Sequence, residues 1–69
     1  MTPVKVRVNA EFREVVEGTT VDQLIRDLGV VKGPVAVELN REILPRSKHA
    51  ELKLKDGDQL EIVTFVGGG

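Results

Sequence analysis

One stretch of this 69-residue chain spaces its apolar residues as a helix does, and that limits the folds open to it. In "EGTTVDQLIRDLGV", Val21, Leu24, Ile25 and Leu28 fall at i, i+3, i+4 and i+7 and form one apolar stripe. Both ends of this helix are marked. Thr20 is placed as an N-cap, and Gln23 stands where a capping box needs it. Asp22 in the first turn suits the positive end of the helix dipole. Gly29 follows the last apolar position and is expected at C′. One helix with one stripe can cover one face of one sheet. The strands must therefore present their apolar faces to it.

The rest of the chain reads as strands that can do so. "VKVRV" alternates, with Val4, Val6 and Val8 on one face and Lys5 and Arg7 on the other. Asn9 and Ala10 interrupt it, and "FREVV" resumes extended character close enough for a hairpin. After the helix, "VKGP" is a connector, and Pro34 disfavours helix at Gly33. "VAVEL" then alternates, "NRE" turns, and "IL" makes a short strand that Pro45 ends. "RSKHAELKL" has no clear period, though Ser47 is placed to cap a single helical or 3₁₀ turn. Asp56-Gly57 is a strong turn signal before the last strand, "LEIVTF". The order is β-β-α-β-β-turn-β. Laying the helix on a mixed sheet, with the last strand parallel to the first at its centre, gives an α+β fold: the β-grasp, or ubiquitin-like, fold of four to five strands. The expected core is Val4, Val6, Val8, Val21, Leu24, Ile25, Leu28, Val37, Leu39, Leu60 and Ile62. The expected organisation is one domain over residues 1–65 and a flexible glycine tail over 66–69.

Several function classes are disfavoured by composition. Ten basic and eleven acidic residues nearly cancel, without the basic excess of a nucleic-acid binder. With no Cys and one His, the chain offers no disulfide framework and no zinc site. "MTPVKVRVNA" alternates instead of forming a signal-peptide block, and no apolar run approaches a membrane span. A cytoplasmic protein that binds neither nucleic acid nor membrane is the expectation.

No Ser-His-Asp, Cys-His or paired-carboxylate arrangement stands out, and the isolated glycines make no phosphate loop. The expectation is a protein that is not an enzyme, with no catalytic residue, no metal and no bound cofactor. His49 reads as a surface or turn residue without a role. What remains is "VTFVGGG". Glycine is the residue that costs most to order, so the run adds no stability. It is thin enough to enter a narrow channel in another protein. With Gly69 as the last residue, its α-carboxylate becomes the functional group. An enzyme could convert that poor electrophile to an acyl-adenylate using ATP, and a sulfur or amine nucleophile could then displace AMP. The catalytic residues would belong to the partner. Val63 and Phe65 point away from the helix-covered face and Val66 follows. They suggest a docking surface beside the tail, the alternatives being that they pack against a neighbouring loop or that one exposed Val and one Phe are ordinary.

"VAVELN", "ILPRS", "L-x-DGD-x-LEIVT" and the final Gly-Gly together resemble the second half of the ThiS family, sulfur carriers of thiamine biosynthesis. "VRVNAEFREV" and "EGTTVDQLIRDLG" extend the resemblance over essentially the whole chain. It implies that an E1-like adenylyltransferase similar to ThiF uses ATP to adenylate the carboxylate of Gly69. A sulfur donor protein would then supply the thiocarboxylate sulfur, and a thiazole synthase similar to ThiG would accept it. Gly68 completes the family's Gly-Gly, and Gly67 is an additional glycine; both would thread the partner's active site. The absence of Cys fits a carrier that holds sulfur on its terminal carbonyl. The alternatives are a carrier for molybdopterin synthesis or tRNA thiolation, a ubiquitin-like modifier of lysines, and a β-grasp binding module with an inert tail.

Overall fold

The alternation seen in the sequence becomes a sheet with one buried face. In the computed structural model, residues 2–29 and 34–64 are described. They form β1 (Pro3–Val8), β2 (Glu11–Val16), α1 (Val21–Asp27), β3 (Val35–Leu39), β4 (Glu42–Leu44), a 3₁₀ turn (Arg46–Lys48) and β5 (Gln59–Thr64). The strand order is β2-β1-β5-β3-β4. β1 and β5 run parallel, and the other pairs are antiparallel. This is the expected β-grasp arrangement, with the last strand at the centre of a five-stranded sheet.

Both hairpins close through residues with positive φ. Asn9 (φ 48°) and Ala10 (φ 73°) join β1 to β2, and Asn40 (φ 51°) and Arg41 (φ 70°) join β3 to β4. Two left-handed residues in a two-residue loop make a type I′ turn, whose twist matches that of the flanking strands. Asn tolerates this region because its short side chain finds local partners. Ala10 and Arg41 have no such excuse and are held there by the pairing on either side.

The core contains Val4, Val6 and Val8 of β1, Val21, Leu24 and Ile25 of α1, Val37 of β3, Leu60 and Ile62 of β5, and Leu54. Leu28 and Leu39, expected inside, are only partly buried against this cluster. Leu28 sits at the helix C-cap and Leu39 at the last position of its strand, where coverage thins. Leu54 was not expected. It lies outside every helix and strand, yet it is 3% exposed.

The segment after β4 explains that burial, because it caps the helix. The first turn of a helix has N–H groups with no intrahelical acceptor. Here Val21 N–H donates to Leu52 C=O (3.0 Å), and Asp22 N–H donates to His49 C=O (2.9 Å). Gln23 N–H donates to Thr20 Oγ1 (3.2 Å), and the Gln23 side chain accepts from Thr20 N–H (3.1 Å), which completes the expected capping box. Leu54 N–H also donates to Thr19 C=O (2.8 Å). The aperiodic "RSKHAELKL" is thus tied to the start of α1, and Leu52 and Leu54 are drawn under it.

Two expectations about this segment need correction. His49 is buried, at 7% exposure. Its Nε2–H donates to Leu44 C=O at 3.3 Å, while its own carbonyl caps α1, so one residue links the end of β4 to the start of the helix. Ser47 does not cap the 3₁₀ turn. The turn starts after Pro45, with no side-chain cap. Gly29 behaves as expected: its φ is +75°, and its N–H donates to Arg26 C=O at 3.0 Å.

Candidate functional site

The residues that carry the proposed chemistry follow β5, so the site begins with how that strand is held. From Leu60 to Thr64 β5 pairs with β3, in the register Leu39↔Leu60 to Val35↔Thr64. On its other flank β1 pairs with it only at Arg7↔Gln59 and Val8↔Leu60, and then turns away. The second half of β5 therefore has one strand neighbour among the described residues. Residues 30–33, which include the Gly33 connector, and residues 65–69 lie outside the described residues. The readings placed on Phe65, Val66, Gly67, Gly68 and Gly69, and the division at residue 65, fall there.

Two asparagine side chains meet β5. At its start, Asn40 N–H donates to Gln59 C=O (2.7 Å), Asn40 Oδ1 accepts from Gln59 N–H (3.0 Å), and Asn40 Nδ2 donates to Asp58 Oδ1 (3.2 Å). On the other flank, Asn9 N–H donates to Leu60 C=O (2.9 Å). The Asn9 side chain then reaches Ile62, with Nδ2 donating to its carbonyl (3.1 Å) and Oδ1 accepting from its N–H (2.8 Å). Sequence reasoning treated Asn9 only as an interruption. The signal that could have found it is Asn at the first position of a tight hairpin turn, a residue chosen there for its side-chain hydrogen bonds as well as its φ.

The solvent face of the sheet beside the tail is partly apolar. Val63 is 54% exposed, as expected, and Ala36 stands opposite it on β3. One step back, Glu61 faces Glu38 across β5 and β3, and Ile43 of β4, 79% exposed, faces Glu38 in turn. Like charges directly opposite each other in a sheet are destabilising. Neither glutamate belongs to an ion pair among the described residues. A shallow groove on this face is lined by Arg7, Ala10, Glu38, Arg41, Gln59, Leu60 and Glu61. Among the described residues there is no group of His, Cys, Asp and Glu able to hold a metal ion. No described helix is long and apolar enough to cross a membrane.

A single helix laid on a five-stranded mixed sheet, with the central strand leading into a glycine run, defines a ubiquitin-like β-grasp protein. The ThiS family model matches residues 6–69, and the chain belongs to that family. It is similar to a solved structure, the thiamine biosynthesis protein (ThiS) from Geobacter metallireducens. The two share 36% identity and a TM-score of 0.79, over 96% of this chain and 100% of that one. The sulfur carrier protein ThiS of Bacillus subtilis is 40% identical over 50 residues, 72% of this chain and 76% of that protein. A thiazole synthase of Paramagnetospirillum magneticum is 47% identical over 66 residues, 96% of this chain. The chain spans only 20% of the length of that synthase.

Proposed function

We propose that this chain is the sulfur carrier for thiazole formation in thiamine biosynthesis, acting as a delivered substrate with the catalysis supplied by its partners. The observation that carries the reading is the ThiS match from residue 6 to residue 69, which takes in both the fold and the glycine run. The similarity to a segment of a thiazole synthase adds support, because there a ThiS-like stretch belongs to the same polypeptide as the named synthase.

The chemistry follows from a carboxylate at Gly69. Its negative charge repels nucleophiles, and oxide is a poor leaving group. An E1-like adenylyltransferase brings ATP. The carboxylate oxygen attacks the α-phosphorus, pyrophosphate leaves, and an acyl-adenylate forms. Sulfur at the oxidation level of sulfide, delivered by a donor protein, then attacks the acyl carbon. AMP leaves and a thiocarboxylate remains, with no net redox change. The thiazole synthase takes the sulfur from there. Gly67 and Gly68 give the tail a cross-section that a narrow channel admits, and Val63, Phe65 and Val66 form the adjoining docking surface. ATP is used by the partner, and this chain needs no resident cofactor or metal.

The test is mass spectrometry after incubation with ATP, the E1-like partner and a sulfide source. The chain should gain the mass difference between sulfur and oxygen, located at Gly69. Deleting Gly67, Gly68 and Gly69 together should abolish the gain while leaving the circular dichroism spectrum unchanged. A thiocarboxylate that still forms on the deleted chain would overturn the reading. Rescue of a thiamine auxotroph, and not of a molybdopterin auxotroph, assigns the pathway.

A further inference from the structure

We propose that Asn9 is a positioning residue for the tail: its carboxamide replaces a missing peptide of β1 and holds β5 at Ile62, fixing the direction in which the chain leaves the sheet. The proposal rests on the carrier reading above for what the tail delivers.

The ladder between β1 and β5 shows the substitution directly. Arg7 N–H donates to Asp58 C=O, and Asn9 N–H donates to Leu60 C=O, both at 2.9 Å. A parallel partner of β5 would next serve the N–H and C=O of Ile62. β1 cannot, because its backbone has already entered the left-handed region at Asn9 and Ala10. The Asn9 side chain carries one carbonyl and one NH₂ on a planar group, which matches the donor and acceptor of a peptide. It makes both missing bonds, at 2.8 and 3.1 Å. The ladder therefore advances by one step without lengthening the strand.

That step falls where it matters for delivery. Between Leu60 and Thr64, β5 is paired among the described residues on one side only, by β3. A strand held along one edge can swing about that edge. Asn9 gives it a second attachment two residues before Thr64, the last residue of β5. The tail must enter a channel in another protein. Fixing its exit direction raises the fraction of docked complexes in which the carboxylate reaches the reacting phosphate.

Asn40 provides an internal control. It also sits first in a type I′ turn and also bonds β5 through its side chain, but at Gln59, at the far end of the strand from the tail. Asn9→Gly and Asn40→Gly both keep a residue that accepts positive φ, and each removes one carboxamide. A merely structural role would make the two variants alike. The experiment measures unfolding in urea, amide hydrogen exchange, and steady-state adenylation and thiocarboxylation at Gly69, at a temperature where both variants are folded.

The expected result is a similar stability loss in both. Exchange should accelerate at Ile62 in Asn9→Gly and at Gln59 in Asn40→Gly. Asn9→Gly should lower kcat about tenfold with KM unchanged, because docking through Val63 is intact, while Asn40→Gly keeps the wild-type kcat. If Asn9→Gly does not fold, Asn9→Asp serves instead: it keeps the acceptor for Ile62 N–H but sets an oxygen against the Ile62 carbonyl. Equal kcat in the two glycine variants, or unchanged exchange at Ile62 in Asn9→Gly, overturns the proposal. Failure of the wild-type chain to be converted at all counts against the carrier reading, and the exchange measurement still decides the clamp.

Discussion

Replacing Leu54 by Ala should remove a large share of the stability of this domain. Leu54 is 3% exposed and belongs to the single core cluster. Each buried methylene is worth about 0.8 kcal/mol, so the lost side-chain carbons account for about 2.4 kcal/mol. Incomplete collapse of the space left behind raises the cost to about 3–4 kcal/mol. Collapse should be poor here, because the backbone on either side is tied to the helix start through Leu54–Thr19 and Val21–Leu52 hydrogen bonds. At the usual stability per residue, 69 residues amount to roughly 3.5–10 kcal/mol in total. The same length implies an unfolding entropy of about 145 cal/mol/K, so a 3 kcal/mol loss lowers Tm by about 20 °C. The chain has no Trp and no Tyr, so far-UV circular dichroism in urea is the suitable probe. The midpoint should fall with the slope m unchanged. Lys53→Ala, at an exposed neighbour, should stay within about 0.5 kcal/mol of wild type. A Leu54→Ala loss below about 1 kcal/mol would refute the argument, because it would mean that the segment lies loosely over the core.

Two further outcomes concern the solvent face of the sheet. Glu38→Lys should turn the repulsion with Glu61 into attraction and stabilise the fold by about 0.5–1 kcal/mol at low salt. The gain should fade near 1 M salt, where screening acts within about 3 Å; thermal melts at two ionic strengths measure it, and a salt-independent shift rejects the cause. Val63→Asp should leave unfolding within about 0.5 kcal/mol of wild type, since Val63 is 54% exposed. It should weaken association with the adenylating partner about tenfold, the order of loss seen when a contributing interface residue is changed. Titration calorimetry tests this, and an unchanged affinity removes Val63 from the docking surface.

What was legible in the sequence is what a single period encodes. The β1 valines, Val21, Leu24 and Ile25 of the α1 stripe and the Leu60–Ile62 pair all alternate or recur at fixed spacing, and they are buried accordingly. The capping box and Gly29 carried their own local chemistry and could be placed without knowing the fold. Leu54 and His49 were not legible. Their burial comes from a segment with no period of its own, folded back to serve N–H groups of a helix far earlier in the chain. Asn9 was missed for a related reason. Its place at the head of a tight turn is a local signal, but its partner Ile62 stands 53 positions away, and that signal does not name the partner. Val63 was legible as an outward residue because the strand alternation that buries Ile62 must expose its neighbour.

The topology also bears on why a carrier would use its last strand as the centre of its sheet. Chain ends fray unless something ties them down. An edge strand leading into three glycines would loosen from the end inward, and the register of everything before it would be poorly held. Here β5 lies between β1 and β3, and each of those neighbours ends in an Asn-led turn whose side chain reaches back to β5. Asn40 secures its first residue and Asn9 secures Ile62. The parallel pairing sets the start of β5 beside the end of β1, at Arg7 and Val8, and β5 then runs on past β1 along β3 until its last residue lies beside Val35. Order is thus maintained up to Thr64, the last residue of β5, by a strand on one flank and two asparagine side chains.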